Sequence, residues 1–310
     1  MKIAVIGAGA MGSLFGGRLA LAGHDVRLVD VNAPHIAAIN RDGLRLDLDQ
    51  GVSVVRAITA GTADAFAGPV DLLLVFTKGY HTAAALAAAA HLVGPGTWAL
   101  TLQNGLGTGE RIAAALPGVP VAIGMTDVPA DLKGAGHVGS HGKGHVRLWS
   151  QSGAVDPALD RIAAALGEAG IEAHADPEVA TAIWEKVIFN TVMNPVAALT
   201  RQTVGGMAGH PDGRPLAEAI LGEAFAVAAA CGVAVDQARV RAIIDHAWRE
   251  HGPHQPSMLQ DVLAGRATEI DSIAGQLAER GAAHGVPVPV LDTLTRLSRS
   301  LATLSMDYFC

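Results

Sequence analysis

The stretch MKIAVIGAGAMG, residues 1–12, decides how the rest of the chain is read. Its apolar run stops at Ile6, and glycine follows at Gly7, Gly9 and Gly12. A secretory leader needs a continuous apolar core of roughly 7–15 residues, so the stretch reads as a buried strand turning into a helix. In that setting Gly7 permits a tight turn, Gly9 lets the backbone approach a pyrophosphate, and Gly12 lets helix and strand pack closely. The turn Gly7-Ala8-Gly9-Ala10-Met11-Gly12 then presents unpaired N–H groups and the positive end of a helix to phosphates. The competing reading is a glycine turn with no ligand, which Ala- and Gly-rich sequences produce by accident.

Outward from this turn, short β-rich runs alternate with Ala-rich helical stretches to about residue 170. KIAVIG, DVRLVD, VDLLLVFTK, TWALTLQNG and PVAIGMT are short, apolar and bounded by Gly or polar residues, as buried parallel strands are. MGSLFGGRLALAG, APHIAAINRDG and HTAAALAAAAHLVG lie between them with helical spacing. The alternation predicts an α/β Rossmann domain with a doubly wound, mainly parallel sheet. GHVGSHGKGHVRLWS is expected to add an antiparallel hairpin to that sheet. DVRLVD ends at Asp30, 18 residues beyond Gly12. An acid there accepts hydrogen bonds from an adenosine ribose and repels a 2′-phosphate, which favours NAD over NADP. Alternatively, Asp30 caps the segment that follows.

From about Pro177 the pattern turns all-helical. PEVATAIWEKVIFNTVMNPVAALT, RPLAEAILGEAFAVAAACG, VDQARVRAIIDHAWREHG, TEIDSIAGQLAERGAAHG and PVLDTLTRLSRSLATL are each expected to form one helix. The implied division is a dinucleotide-binding domain at 1–175 and an all-α substrate domain at 176–310, joined at HADPE. Half of the 310 residues are hydrophobic and 16% are charged, a globular composition. A net charge of −7 provides no basic stripe for nucleic acid. The longest apolar stretches fall short of the about 20 residues that a membrane span takes. Cys231 and Cys310 show neither metal spacing nor a paired framework. The expectation is a soluble cytoplasmic protein with a small-molecule partner and neither nucleic acid nor membrane. The Ala-rich helices after residue 214 offer a face for a homodimer.

Candidate chemistry lies in the helical half. WEKVIFNTVMNP places Lys186, Asn190 and Asn194 at i, i+4 and i+8, along one stripe of a helix. Such a lysine can protonate a carbonyl oxygen as hydride arrives, and amides can orient that oxygen. A snorkelling lysine on a solvated face is the plain alternative. In PSMLQDVLAGRATEID, Ser257 and Glu269 sit near helix starts, where they serve either a site or simple capping, with Thr268 as the cap before Glu269. Asn104, in LQNGLG, and Lys78, after LLLVFT, fall at the C-terminal ends of strands, where ligands of open α/β sheets bind. Asn104-Gly105 is also the commonest turn pair.

Taken together, GAGAMG, LLLVFTKGYHT, LQNGLGT, WEKVIFNTVMNPVAALT and SMLQDVLAGRATEIDSIAGQLAERGAAHGVPVP resemble the 2-dehydropantoate 2-reductase (ketopantoate reductase) family over nearly the whole chain. The resemblance implies NAD(P)H-dependent reduction of 2-dehydropantoate to (R)-pantoate. It implies that Lys186 is the general acid, that Asn190 and Asn194 contact the substrate, and that Ser257 binds its carboxylate. Glu269 would bond substrate and cofactor, Asn104 would bridge the two, and Ala130 would meet the cofactor through its backbone. The chain departs from the family pattern in three places. Asp30-Val31-Asn32 lacks the arginine that holds the 2′-phosphate of NADPH, although Lys78 is retained. His254 replaces an asparagine before the serine, and Val204-Gly205 replaces an Asn-Gly. These departures keep open an NAD-dependent (R)-2-hydroxy-acid dehydrogenase of the same family, acting on branched or aromatic 2-oxo acids. A non-catalytic dinucleotide-binding protein is the third reading. His137, His141 and His145 recur every four residues, but no carboxylate or cysteine near them in sequence completes a metal set. GMAGHPDGRP reads as a loop.

Overall fold

In the computed structural model, residues 1–304 are described, and Cys310 lies outside them. Twelve strands are formed: β1 (Lys2–Ile6), β2 (Asp25–Val29), β3 (Leu44–Leu48), β4 (Gly51–Val55), β5 (Thr59–Gly61), β6 (Leu72–Val75), β7 (Trp98–Thr101), β8 (Val121–Thr126), β9 (Asp131–Gly134), β10 (His137–Ser140), β11 (His145–Ser150) and β12 (Glu172–Ala175). The main sheet has the order β12-β11-β8-β7-β6-β1-β2-β5. From β5 to β8 every pairing is parallel, in the doubly wound dinucleotide-fold order. β1, β6 and β7 are almost wholly buried, which is why they read as unbroken apolar runs.

The sheet is covered by α1 (Ala10–Leu21), α2 (Ala33–Asp42), α3 (Thr82–Ala89), α4 (Thr108–Ala115) and α5 (Pro157–Glu168). Phe15, Leu14 and Leu19 of α1 join Ile3, Val5 and Leu28 in one apolar cluster, while Leu86 and Ile112 join Ala4, Ile6 and Leu73 in another.

One expectation is corrected in this part. GHVGSHGKGHVRLWS is not a hairpin: β10 joins a second sheet of order β4-β3-β10-β9, whereas β11 runs antiparallel to β8 in the main sheet. The arms part because each buries its alternate apolar residues against a different partner, Val138 in one and Val146 and Leu148 in the other. LRLDLDQGVSVV, which the sequence reading passed over, is the β3–β4 hairpin of that second sheet.

The remaining helices are α6 (Val179–Thr200), α7 (Val204–Gly209), α8 (Gly213–Ala230), α9 (Gln237–Glu250), α10 (Ser257–Leu263), α11 (Ala274–Ala283) and α12 (Pro289–Leu304). Their core gathers Val187, Ile188, Ile220, Phe225, Leu277 and Leu291. GMAGHPDGRP is largely helical, not a loop. Thr203 caps α7 by accepting the Gly206 N–H, and burial of Val204 and Met207 outweighs the poor helix propensity of its glycines. TEIDSIAGQLAERGAAHG is broken rather than continuous: Ile270–Ser272 form a 3₁₀ turn, and α11 begins only after Ile273, whose ψ of −98° leaves the helical region.

The chain divides into two units, Met1–Gln103 with Thr108–Ala180, and Asn104–Gly107 with the residues from Thr181 onward. Among the described residues, no helix is long and apolar enough to cross a membrane.

Candidate active site

In the N-terminal unit, the glycine turn links β1 to α1. Gly7 has a φ of +96°, and its N–H donates to Val29 O at 2.8 Å. A Cβ on Gly12 would overlap the Gly7 carbonyl oxygen, so helix and turn close on each other there. At Gly9 the opposite holds, because a Cβ built there meets nothing within 4 Å. Gly9 is the N-cap of α1 and has no side-chain cap. The first-turn amides of Ala10, Met11 and Gly12 lack intrahelical acceptors by geometry and carry the helix's positive end. A turn closed at Gly12 and open at Gly9 therefore fits the pyrophosphate of a dinucleotide.

Asp30 directly follows β2 and is half-buried. Its Oδ2 accepts the Ala8 N–H at 2.6 Å, and its Oδ1 accepts those of Val31 and Asn32 at 2.7 and 2.8 Å. The carboxylate thus clasps the glycine turn to the end of β2. Capping of α2 falls to Asn32, whose Oδ1 accepts the His35 N–H at 3.2 Å. Lys78 is half-buried at the N-cap of the Gly79–His81 turn after β6, and Ala130 stands just before β9.

Ser13, His35 and Gln103, in the same unit, are not singled out by the sequence. Ser13 Oγ donates to Ala8 O at 2.7 Å and lies 3.0 Å from His35 Nε2. Gln103 Nε2 donates to Thr77 O and, at 2.9 Å, to Thr82 Oγ1, joining the ends of β6 and β7. The available signal was His35 itself, which shares the buried face of α2 with Ala38 and Ile39.

In the helical unit, α6 carries the polar stripe. Lys186 is half-buried, while Asn190 and Asn194 are buried. The neighbouring Glu185 is buried and accepts the Asp236 N–H at 2.9 Å and two bonds from the Arg239 guanidinium at 2.9 and 2.5 Å. That carboxylate holds the Arg239 pKa above its ordinary value. This fork fixes α6 against the start of α9 and with it the rotation of the stripe.

Asn194 is engaged more specifically than the sequence indicated. Its Oδ1 accepts the Ser257 hydroxyl at 3.0 Å and the Met258 N–H at 3.1 Å. Ser257 is the first residue of α10, not its cap; the N-cap is Pro256, which has no side-chain acceptor. Asn194 therefore caps α10 from α6 and orients Ser257 in the same act.

Glu269 is buried at the N-cap of the Ile270–Ser272 turn. It stands before a 3₁₀ turn and not in the first turn of a longer helix, which corrects the capping alternative. Asp261 accepts from Arg266 Nε at 3.0 Å and holds the connection between α10 and Glu269. The Asn104–Gly107 segment rests on the same turn. Leu106 N–H donates to Ser272 O at 2.9 Å, and Gly105, with φ at +105°, leaves room only for hydrogen against Ser272. His254 is exposed, and its carbonyl accepts the Val204 N–H at 3.0 Å, while Gly205 N–H reaches Gly252 O at 2.8 Å. Two departures from the family pattern are thus backbone neighbours.

His137, His141 and His145 pair with three different aspartates, Asp47, Asp49 and Asp127, at 3.0, 3.2 and 3.1 Å. Among the described residues, no three His, Cys, Asp or Glu side chains gather as a metal set.

Comparison with known proteins agrees with this architecture. The family model for ketopantoate reductase PanE/ApbA matches residues 3–152, and the model for its C-terminal part matches residues 178–302. A 2-dehydropantoate 2-reductase of Halobacterium salinarum is 33% identical over 299 residues, 96% of this chain and 98% of that protein. Among solved structures, a ketopantoate reductase family protein from Ralstonia eutropha superposes with a TM-score of 0.91 at 30% identity, covering 99% of this chain and all of that one. A D-mandelate dehydrogenase solved with NADH and anilino(oxo)acetate does so with a TM-score of 0.93, also at 30% identity and with the same coverage. A doubly wound nucleotide-type unit, a helical unit with the Lys186 stripe, and family matches along both lead to one statement: the chain belongs to the ketopantoate reductase family of oxidoreductases.

Proposed function

We propose that this chain reduces 2-dehydropantoate to (R)-pantoate with a nicotinamide dinucleotide. The observation that carries the reading is the stripe of α6, where Lys186 stands two helical turns from an Asn194 that orients Ser257. Gly9, Ala10 and Met11 would hold the pyrophosphate, Asp30 the ribose, and Lys78 a phosphate oxygen. The dinucleotide supplies a hydride when bound. The Lys186 ammonium donates its proton to the C2 oxygen of the 2-oxo acid as that oxygen gains negative charge. Asn190 orients the same oxygen, Ser257 receives the substrate carboxylate, and Glu269 and Asn104 hold the substrate's hydroxyl end. NADH is the preferred reductant, because the fixed Asp30 carboxylate repels a 2′-phosphate. The protein acts as a soluble cytoplasmic enzyme, and its Ala-rich α8 offers a homodimer face.

The test is oxidation of NADH and NADPH, in parallel, with 2-dehydropantoate. Lys186→Ala should retain dinucleotide binding and lose about 10²–10⁴-fold in kcat, the usual worth of a positioned general acid. Near-normal turnover removes Lys186 from the mechanism.

A second reading has its own support. His254, three residues before Ser257 in sequence, is hydrogen-bonded to Val204, and the D-mandelate dehydrogenase is similar over 99% of the chain. On that reading the substrates are branched or aromatic 2-oxo acids. A kcat/KM at least tenfold higher for 2-oxoisovalerate or phenylpyruvate, about 1.4 kcal/mol, selects it. Binding of NADH without reduction of any 2-oxo acid would select a non-catalytic dinucleotide-binding protein.

A further inference from the structure

His35 is 2% exposed, in the first turn of α2, and both of its ring nitrogens are engaged. The Gly136 N–H, from the turn between β9 and β10, points at Nδ1 from 2.9 Å. An N–H can only donate, so Nδ1 must be the acceptor and the neutral ring must carry its proton on Nε2. Nε2–H then donates to Ser13 Oγ at 3.0 Å, and the Ser13 hydroxyl donates onward to Ala8 O at 2.7 Å. On the other side of the same residue, Ala8 N–H donates to Asp30 at 2.6 Å. The direction of every bond in this chain follows from the first. It ends on both polar atoms of Ala8, which lies between Gly7 and Gly9.

We propose that His35 is a positioning residue for dinucleotide binding: through Ser13 it sets the orientation of the Gly7–Gly9 backbone that receives the pyrophosphate. The proposal rests on the reading of the glycine turn as a dinucleotide site. His35 does not itself touch that ligand. A protonated ring would turn Nδ1–H against the Gly136 N–H and break the chain at its origin. Burial pushes the His35 pKa down, opposed by the Asp30 charge and the Ala8 carbonyl. Asp30 is the charged group that acts on the ring; α1 presents the Ser13 hydroxyl and the β9–β10 turn a backbone amide, neither of which titrates. The ring is therefore neutral at neutral pH, and the arrangement fails only on the acid side of the ordinary histidine range.

The experiment measures NADH affinity by fluorescence titration between about pH 8 and about pH 5, across the usual histidine range, for the wild type and for His35→Gln, His35→Ala and Ser13→Ala. Hydrogen exchange of residues 7–13 is followed in the same proteins without ligand. Glutamine keeps an acceptor and a donor and does not titrate. His35→Ala and Ser13→Ala should weaken NADH binding roughly tenfold at neutral pH, the worth of about one buried hydrogen bond, and speed exchange at residues 7–13. The wild type should lose affinity on the acid side, while His35→Gln keeps a flatter profile. A purely structural histidine would lower melting temperature in His35→Ala but leave NADH affinity unchanged, and that result overturns the proposal. So does an identical pH profile in wild type and His35→Gln. If wild type binds neither NADH nor NADPH at any pH, the dinucleotide reading falls and takes this inference with it.

Discussion

Asn194→Ala is the substitution with the best-defined cost. Asn194 is 4% exposed and Met258 1%, so the Met258 N–H does not regain water when the amide is removed, whereas Ser257 is exposed and its hydroxyl does. Two bonds disappear, from the Ser257 hydroxyl and the Met258 N–H. An intramolecular hydrogen bond contributes about 0.5–1.5 kcal/mol net, but a buried donor left without a partner costs about 1–3 kcal/mol. Ser257 can turn to other acceptors, whereas the Met258 amide cannot turn. The helix cap is the same bond counted another way, at about 0.5–2 kcal/mol, and is not added again. The sum is a loss of about 1.5–4.5 kcal/mol, or roughly 5–15 °C in melting temperature for a unit of this size. Calorimetry of wild type, Asn194→Ala and Asn194→Asp measures it, the aspartate retaining an acceptor at the same place. In steady-state kinetics the freed Ser257 should raise KM for the 2-oxo acid about tenfold, the equivalent of about 1.4 kcal/mol. A melting temperature within a degree of wild type, together with an unchanged KM, would refute the account of Asn194 as a cap supplied from a distant helix.

Two further outcomes are expected. Gly105→Ala should reduce turnover severely, because its Cβ overlaps the Ser272 backbone and its φ of +105° strains any L side chain; wild-type kinetics with wild-type melting would contradict this. Stability should fall in mild acid through His35, whose folded pKa lies below its unfolded value, so that the unfolded chain binds the extra proton first. The stability due to the neutral ring is complete above about pH 6.5 and is lost as pH drops below it, with a slope of at most about 1.4 kcal/mol per pH unit. Melting curves of wild type and His35→Gln that stay parallel over that interval would rule the effect out.

The dinucleotide-type sheet was legible because two independent signals coincide in it. Its central strands are apolar without interruption, and glycines mark the point where β1 hands over to α1. The second sheet was not, because β4 leaves Val52 and Val54 exposed on its outer face, so its apolar positions do not report burial. At the candidate site, Lys186, Asn190 and Asn194 stand out by spacing alone, since a helix makes i, i+4 and i+8 neighbours. What Asn194 bonds to did not, as Ser257 lies 63 positions away. Ser13 was hidden for a related reason: a small residue in an Ala- and Gly-rich helix resembles filler until the histidine behind it is placed. The break at Ile273 was masked by the good helix formers that follow it, Gln276 to Arg280.

The short run Asn104–Gly107 leaves the β-rich unit between β7 and α4 and is counted with the helical one, where Leu106 is 5% exposed. Neither half is therefore a contiguous length of chain. An engineer who transplants the helical half into a related scaffold, to exchange one substrate preference for another, inherits four residues from the recipient. Those four include Asn104 and an apolar anchor shaped for a different neighbour. A chimera cut only after Ala180 should fold poorly or turn over slowly for that reason alone, and carrying residues 104–107 across with the graft should restore it.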